Sequence, residues 1–416
     1  MAEGDFSDLV QSVQEIFGDY IPLDGHYFSV PIPKAYLALA PPTLDFGASS
    51  EMIDRVTEGI ASAMLSLRHR FQIRYQRGSE LTQRLAQSLH QLTYVDQREL
   101  YDFGSRDGSS QQHPILLLLD RREDPVTPLL SQWTYQAMIH ELLGMTDNIV
   151  ALESSTPRHA STKKQTEYVL SSAQDDFFRR NRYSNFGDVG MAVKTLVDQM
   201  SSDHRHAKDF DSIDDIAQFV EHLPERTQQQ GVTSKHVSIM SALSHEVEER
   251  SLMLVSGIEQ DICCQSSSIS GHYDSVASII RNPQVRNTDK ARLVMLYCLR
   301  YESEAPQQAS SLFGALEKCN IDASLLSSVR YLRKKWSQQQ HILDLFSDKT
   351  LSSRFASLAK QHLRGVENVY TQHTPALLSI LEKAAKGRLP ANDYPSIGSD
   401  ASTFSKVCVL FFLKRF

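Results

Sequence analysis

Hydrophobic positions along this chain fall mostly into stripes with a helical period, broken by short apolar blocks and by turns containing proline or glycine. Leu9, Val13, Ile16 and Phe17 in "SDLVQSVQEIFGDY" have the spacing of a short helix, and the "IPLDGHYFSVPIP" that follows reads as extended chain. Ile53, Val56, Ile60, Ala63 and Leu67 share one helical face, with Ser49 or Ser50 placed to cap its start. A further helix is expected over 79–92. Ile115 to Leu119 make an unbroken apolar run after "QQHP", the pattern of a strand buried on both faces of a parallel sheet. Pro125 and Pro128 then break the chain, and Leu129 to Leu143 read as a helix closed by Gly144. Strand, loop and helix make half of an α/β unit.

From about residue 186 to 300 the pattern predicts long helices. Val189, Val193, Leu196, Val197 and Met200 share one face, and Ile213, Ile216, Ala217 and Val220 another. Val237, Met240, Ser244, Val247, Ser251, Leu254 and Ile258 recur at alternating spacings of three and four, a near-heptad stripe. Such a stripe either packs inside its own domain or receives a partner helix, and periodicity does not choose between the two. "DKARLVMLYCLRY" reads as a compact helix, whereas "CCQSSSISGHYDS" and "ESEAPQQASS" read as loops by their Ser and Gln content.

Composition narrows the class. With 416 residues, 41% of them hydrophobic, the chain can bury a large core and divide into two or three domains. Lys and Arg total 43 against 50 Asp and Glu, and no run of like charge suggests a phosphate-binding patch, so nucleic acid is not an expected partner. The five cysteines have no metal-site spacing and read as reduced thiols of a cytoplasmic protein. The apolar block "VCVLFFL" is far shorter than the roughly 20 residues of a membrane span, so no direct membrane insertion is expected.

Candidate chemistry gathers after the predicted strand. Asp120, Arg121, Arg122, Glu123 and Asp124 stand where open α/β sheets collect ligands, beyond a strand's carboxyl end. Asp120 as metal ligand or base and Arg121 as phosphate clamp would make a nucleotide- or phosphate-handling α/β enzyme. The parts that should accompany them are missing: nothing matches GxGxxG, GxxxxGK followed by Ser or Thr, or GxSxG. The simpler reading is a salt-bridged corner that pins strand to helix. His204 and His206 lack a zinc partner at a usual spacing. No catalytic, cofactor-binding or metal-binding residue is expected.

"LLLLDRREDPVTPLLSQWTYQAMIHELLG" resembles the hallmark segment of the SM family, the Sec/Munc-type proteins that bind SNAREs and control vesicle fusion. "LSSAQDDFFRRNRYSNFGDVG", "VTSKHVSIM", "GIEQDICC", "DKARLVMLY" and "GVENVYTQHTPALLSILEKAAKGRLPANDYP" fit the same family in the same order, from about 10 to 397. The last of these, with "SQWTYQAM" at 131–138, is most similar to the vacuolar-protein-sorting branch that serves trans-Golgi and endosomal traffic.

The resemblance implies an arch-shaped scaffold of α/β plus α class, with a parallel-sheet domain and a largely helical domain, the family's first domain being mostly missing. Its domains would be 1–185, the first part of the family's second domain; 186–370, the helical third domain; and 371–416, an incomplete return to the second. It implies a cofactor-free, non-catalytic function: binding a syntaxin-like t-SNARE and the assembling SNARE complex as a monomer, in the cytoplasm and peripherally on Golgi and endosomal membranes. The family's hinge proline resembles Pro224, and its SNARE-templating helix resembles the stripe with Val237, Met240, Ser244 and Val247. Asp120, Arg121, Asp124 and Pro128 are hallmark residues with a structural role. "DASTFSKVCVLFFLKRF" does not match the family's closing strand, which predicts an exposed sheet edge. The two mismatched ends suggest a splice form or a fragmentary gene model. A generic helical adaptor is the remaining alternative.

Overall fold

The computed structural model describes residues 18–32, 46–103, 114–153, 165–206, 223–264, 268–335, 345–346, 372–398 and 407–410. The helices expected around Leu9–Phe17 and Ile213–Val220 lie outside them. The chain divides into two compact units, residues 1–123 with 377–416 and residues 124–376.

The first unit is built on the predicted strand Ile115–Leu118, in which every residue is buried. It runs parallel to Gln72–Tyr75 on one side and to Val407–Leu410 on the other. Alternation along the strand feeds two cores. Leu116 and Leu118 pack with Val56, Ile60, Met64 and Ile73, while Ile115 and Leu117 pack with Ala384 and Leu389. The "VCVL" of the unmatched tail supplies a third strand, pairing Leu116 with Cys408 and Leu117 with Val409, so the edge of the described sheet lies at Val407–Leu410 and not at the central strand. "IPLDGHYFS" forms the antiparallel pair Ile21–Asp24 and Tyr27–Ser29. The helix expected to start at Ser49 or Ser50 begins earlier, at Phe46, and runs to Leu67, so neither serine caps it.

The strand Gln72–Tyr75 has no counterpart in the sequence reading. Its outer edge is covered by chain from the far end of the unit: Tyr75 N–H donates to Pro395 O at 3.2 Å and Ile397 N–H to Ile73 O at 3.0 Å. Arg74, 4% exposed, points into the same region, donating from Nε to Tyr394 O at 2.8 Å and from Nη2 to Leu389 O at 3.2 Å. The "GRLPANDYP" segment is thus held by a buried guanidinium as well as by backbone pairing.

The second unit is largely helical. Asn287–Tyr301, the predicted "DKARLVMLYCLRY" helix, is buried on nearly every side and forms the axis of a core with Val255, Ile262, Val276, Ile279, Leu312 and Leu316. Of the two segments expected as loops, the parts from Ile269 and from Pro306 onward are helical. Ser268 caps Ile269–Arg281 by accepting Gly271 N–H, and Pro306 opens Pro306–Glu317. Their Ser and Gln content hides the stripes His272, Val276, Ile279 and Ile280, and Ala309, Leu312, Phe313 and Leu316, which are buried.

The helix expected over Leu129–Leu143 is shorter than its periodicity suggested. A 3-10 turn, Thr127–Leu129, is followed by extended chain; Tyr135–Met138 is helical and passes into the wider turn Ile139–Gly144. Long-range backbone bonds account for the difference: Tyr135 N–H donates to Ser184 O, Gln136 N–H to Arg182 O, and Trp133 O accepts Phe186 N–H. Gly144, at φ +80°, ends the segment as expected. Trp133, Tyr135, Met138 and Ile139 share a core with Val189, Ile239 and Leu243, so residues 124–185 cluster with the helices and not with the sheet.

Candidate functional site: a long helix and the junctions that hold it

The near-heptad stripe lies on two helices. Leu223–Glu249 is followed by Ser251 at φ +50°, and a second helix, Leu252–Cys264, starts immediately after. The expectation of one continuous stripe to Ile258 is corrected by that left-handed residue, which turns the chain between helices. On the first helix the buried face is Thr233, His236, Ile239, Met240, Leu243 and Val247. The exposed face is Ser234, Val237, Ser241, His245 and Glu248. The four stripe residues singled out by sequence therefore do not share one surface: Met240 and Val247 belong to the unit's own core, Ser244 is half-buried, and Val237 is 40% exposed. Pro224 is the second residue of the helix, where its missing N–H costs no intrahelical bond.

A buried polar cluster anchors the helix near its middle. Tyr135 Oη lies 2.8 Å from His236 Nδ1, and His236 Nε2 lies 3.0 Å from Asp175 Oδ2. Lys235 Nζ pairs with the same carboxylate oxygen and donates to Val169 O at 3.3 Å. Asp175 Oδ1 accepts Phe178 N–H at 2.9 Å, capping the helix Asp176–Asn181. Nε2–H of His236 is placed to donate to Asp175, and Nδ1 faces the Tyr135 hydroxyl. Burial alone would raise the Asp175 pKa; hydrogen bonds from His236 and Lys235 outweigh it and hold the carboxyl well below its usual range. Burial, with the Asp175 charge behind it, raises the Tyr135 hydroxyl far above its ordinary value.

A second clamp holds the helix's carboxyl end. Arg250 makes a bidentate pair with Asp289, Nε to Oδ2 at 3.1 Å and Nη2 to Oδ1 at 2.7 Å, and both side chains are buried. Arg286 bridges to Glu246 and Glu249 at 3.1 and 3.4 Å, and Arg292 pairs with Glu141 at 2.6 Å.

The hallmark loop is tied to the helix Leu252–Cys264. Ser131 N–H donates to Glu259 Oε2 at 2.7 Å, and Trp133 Nε1–H to Ser256 Oγ at 2.8 Å. Gln260 Oε1 accepts the backbone N–H groups of Gln372 and His373, both at 2.9 Å. Asp124, 7% exposed, accepts Thr127 N–H at 3.0 Å, Thr127 Oγ1–H at 2.6 Å and Ala376 N–H at 3.4 Å. Thr127 Oγ1 in turn lies 3.3 Å from His373 Nε2. Residues 124–133, 256–260 and 372–376, far apart in sequence, meet in one hydrogen-bonded junction.

Glu259 gives that junction a pH dependence. Burial raises its carboxyl from 4.5 to about 7 despite Arg292 and the Ser131 donors. In the unfolded chain the group ionises near 4.5, so between pH 4.5 and 7 the folded state holds the proton more tightly. Stability from this group is fully present below 4.5 and declines as pH rises through 7, by up to about 3 kcal/mol. Glu259→Gln removes the titration. The stability of wild type relative to that variant, from urea unfolding at pH 5 and pH 8, should fall at the higher pH; an unchanged difference would show that Glu259 titrates normally.

Asp120 and its neighbours do not form a ligand site. The Asp120 carboxylate accepts Ser79 Oγ–H at 2.6 Å and three donors of Arg122: its backbone N–H at 2.9 Å, Nε at 3.0 Å and Nη2 at 2.6 Å. Asp120 N–H donates to Gln76 Oε1 at 3.1 Å. Burial would raise the Asp120 pKa, but Arg122 and Ser79 lower it overall. Arg121 sits in the 3-10 turn Arg121–Glu123 and Pro128 in Thr127–Leu129, both half-buried. The carboxylate is consumed by a corner of the fold. Among the described residues no group of His, Cys, Asp and Glu could hold a metal ion, and no helix is long and apolar enough to cross a membrane.

Sequence reasoning missed Arg74, Tyr135, Asp175, His236, Arg250, Glu259 and Asp289. Their chain neighbours are mixed, Tyr135 lying between Thr134 and Gln136 and Asp289 between Thr288 and Lys290, so no local pattern marks them.

Comparison with known proteins gives a consistent result. The vacuolar protein sorting-associated protein 45 homolog of Arabidopsis thaliana is 40% identical over 400 residues, covering 96% of this chain and 68% of that protein. The human vacuolar protein sorting-associated protein 45 is 36% identical over 402 residues, covering 96% and 67%. The chain thus spans about two thirds of the length of these relatives. A solved complex of the SM protein Vps45 with the Qa SNARE Tlg2 matches at 34% identity with a TM-score of 0.77, over 95% of this chain and 68% of that one. The Unc18–syntaxin 1 complex of Monosiga brevicollis, 22% identical with a TM-score of 0.68, shares the fold. The model of the Sec1 family matches residues 1–407, and the chain belongs to that family.

Proposed function

We propose that this chain is a SNARE-binding regulator of vesicle docking and membrane fusion in Golgi, endosomal and vacuolar protein transport, acting on a syntaxin-like t-SNARE. The observation that carries the reading is the likeness, over 95% of the chain, to a Vps45 whose solved complex holds a Qa SNARE. Its mechanism is differential binding, in which the protein stabilises one SNARE arrangement on the way to the four-helix bundle and turns over no substrate. It works as a monomer in the cytoplasm, reaching Golgi and endosomal membranes through its SNARE. The sheet unit corresponds to part of the family's second domain and the helical unit contains its third.

The helix Leu223–Glu249 is the templating element of this proposal. Its open face carries Val237 between the small side chains of Ser234 and Ser241, a surface on which an apolar SNARE helix can lie. Pro224 is its hinge. Its fixed φ and missing N–H oppose extension of the helix toward its amino end. Pro224→Ala is therefore expected to accelerate SNARE assembly in a purified fusion reaction by severalfold; an unchanged rate would remove the hinge role. The function itself is tested by capture with a panel of syntaxin-family cytoplasmic regions, in which selective binding to one supports it. Asp120, which the phosphate-handling reading pairs with Arg121, is already engaged by Ser79 and Arg122.

A further inference from the structure

Three of the segments that carry the family resemblance contribute one polar side chain or pair each to a single buried cluster. Tyr135 comes from "SQWTYQAM", Asp175 from "LSSAQDDFF", and Lys235 with His236 from "VTSKHVSIM". None of them faces the open side of the long helix. We propose that this cluster is a positioning device: it fixes the rotational setting of Leu223–Glu249, with His236 as the positioning residue, and so decides which face the helix offers to a SNARE. The inference rests on the functional reading above and specifies how its binding face is set.

Successive residues of a helix are about 100° apart. Apolar residues lie on both sides of this one, Ile239, Leu243 and Val247 inward and Val237 outward. A rotation that buried Val237 would expose Ile239, Met240, Leu243 and Val247, so packing favours the observed setting but, being non-directional, fixes its angle only loosely. Hydrogen bonds discriminate strongly because they are directional. Both ring nitrogens of His236 are satisfied only in the observed setting, one by Tyr135 and the other by Asp175, and all three side chains are buried. Rotation would strand a buried carboxylate, an imidazole and a phenol together.

The cluster also reaches past the helix. Asp175 divides its two oxygens, Oδ1 capping Asp176–Asn181 and Oδ2 receiving His236 and Lys235. Tyr135 opens the helical turn of the hallmark segment, whose backbone is bonded to residues 182–186. The setting of the templating face is therefore referred to the hallmark segment, which is buried and has no open surface of its own at Trp133, Tyr135 or Met138. The hallmark would act on SNAREs through His236, without touching them.

The test compares variants matched in stability. Tyr135→Phe removes one hydroxyl without changing the packed ring, and Asp175→Asn keeps an oxygen for the Phe178 cap while removing the charge. Ile239→Val loosens the same core without touching the cluster. The helix setting is read first in the protein alone, as the rate of thiol labelling of Val237→Cys resolved by peptide mass spectrometry. Labelling should slow in the Tyr135→Phe and Asp175→Asn backgrounds in proportion to the fraction of molecules that turn position 237 inward, about fivefold where four in five have turned, and stay unchanged in Ile239→Val at equal thermal midpoint. SNARE assembly is read second, with the native Val237 restored. The two cluster variants should lose a similar factor of acceleration while Ile239→Val retains it. Equal labelling in all three backgrounds would overturn the inference whatever the SNARE result. Altered labelling in a protein that affects no SNARE would uphold the positioning device and reject the function it was assigned to serve.

Discussion

Replacing Arg74 by methionine is expected to destabilise the sheet unit by about 3 to 5 kcal/mol, a large share of what a domain of this size holds. Methionine fills a similar volume and is well suited to a buried position, so the loss isolates the guanidinium. Arg74 sits in the strand Gln72–Tyr75 on the face shared with Leu117 and donates to the carbonyls of Tyr394, Leu389 and Pro390. Each hydrogen bond to a charged group contributes roughly 1.5 to 3 kcal/mol, and deleting the donor leaves carbonyl oxygens inside the protein without partners. Lysine at this position keeps the charge but has no fork to span three acceptors, so Arg74→Lys should recover only a minor part. Urea unfolding gives the magnitude. Hydrogen exchange localises it, with loss of protection expected at Ile397, whose N–H donates to Ile73 O across the same edge. A change below about 1 kcal/mol would mean that backbone pairing holds the 389–397 segment unaided.

Asp289→Ala should have an effect of similar size in the helical unit. Asp289 is 1% exposed and accepts two hydrogen bonds from Arg250, itself 7% exposed, at the point where the long helix ends. Removing the carboxylate leaves a guanidinium buried with only Glu246 at 3.7 Å, and breaking a buried pair in this way costs about 3 to 5 kcal/mol. Arg250→Met combined with Asp289→Leu removes both charges together, and should be much closer to wild type than either single variant. That non-additivity is the diagnostic. If the two single losses simply add, the pair is not acting as a unit and the helix end is held by apolar packing through Val247 and Leu252.

The contrast between these two sites and the central strand shows what the sequence could reveal. Ile115 to Leu118 were legible because a strand covered on both faces is apolar at every position, and no tertiary knowledge is needed to see it. Gln72–Tyr75 is buried to a similar depth and was not legible, because Gln72 and Arg74 break its apolar run and the burial of Arg74 depends on acceptors more than three hundred residues away. The helices Ile269–Arg281 and Pro306–Glu317 were hidden by Ser and Gln on their exposed faces. Asn287–Tyr301 was visible because its apolar residues are nearly continuous.

The near-heptad stripe was half legible. Its period was real, but nothing local announced the left-handed Ser251 that divides it, since that position carries neither glycine nor asparagine. Nor could periodicity tell that Met240 and Val247 close the unit's own core while Val237 faces out. The buried polar cluster is the least legible feature of all. Tyr135, Asp175 and His236 are separated by 101 and 61 positions, and only folding brings their hydrogen-bonding atoms together. The charged corner after the central strand was read as a bonded corner for want of the motifs that accompany catalysis, and the geometry engages Asp120 with Ser79 and Arg122 and Asp124 with Thr127.

Binding to SNAREs is the central claim, and the most direct measurement is equilibrium capture of the full chain by purified cytoplasmic regions of several syntaxin-like t-SNAREs, with added nucleotide as a parallel arm read by thermal shift. Saturable binding to one t-SNARE in preference to the others, with no shift from nucleotide, is the expected result. Failure to bind any t-SNARE, accompanied by heat stabilisation from a nucleotide, would contradict it.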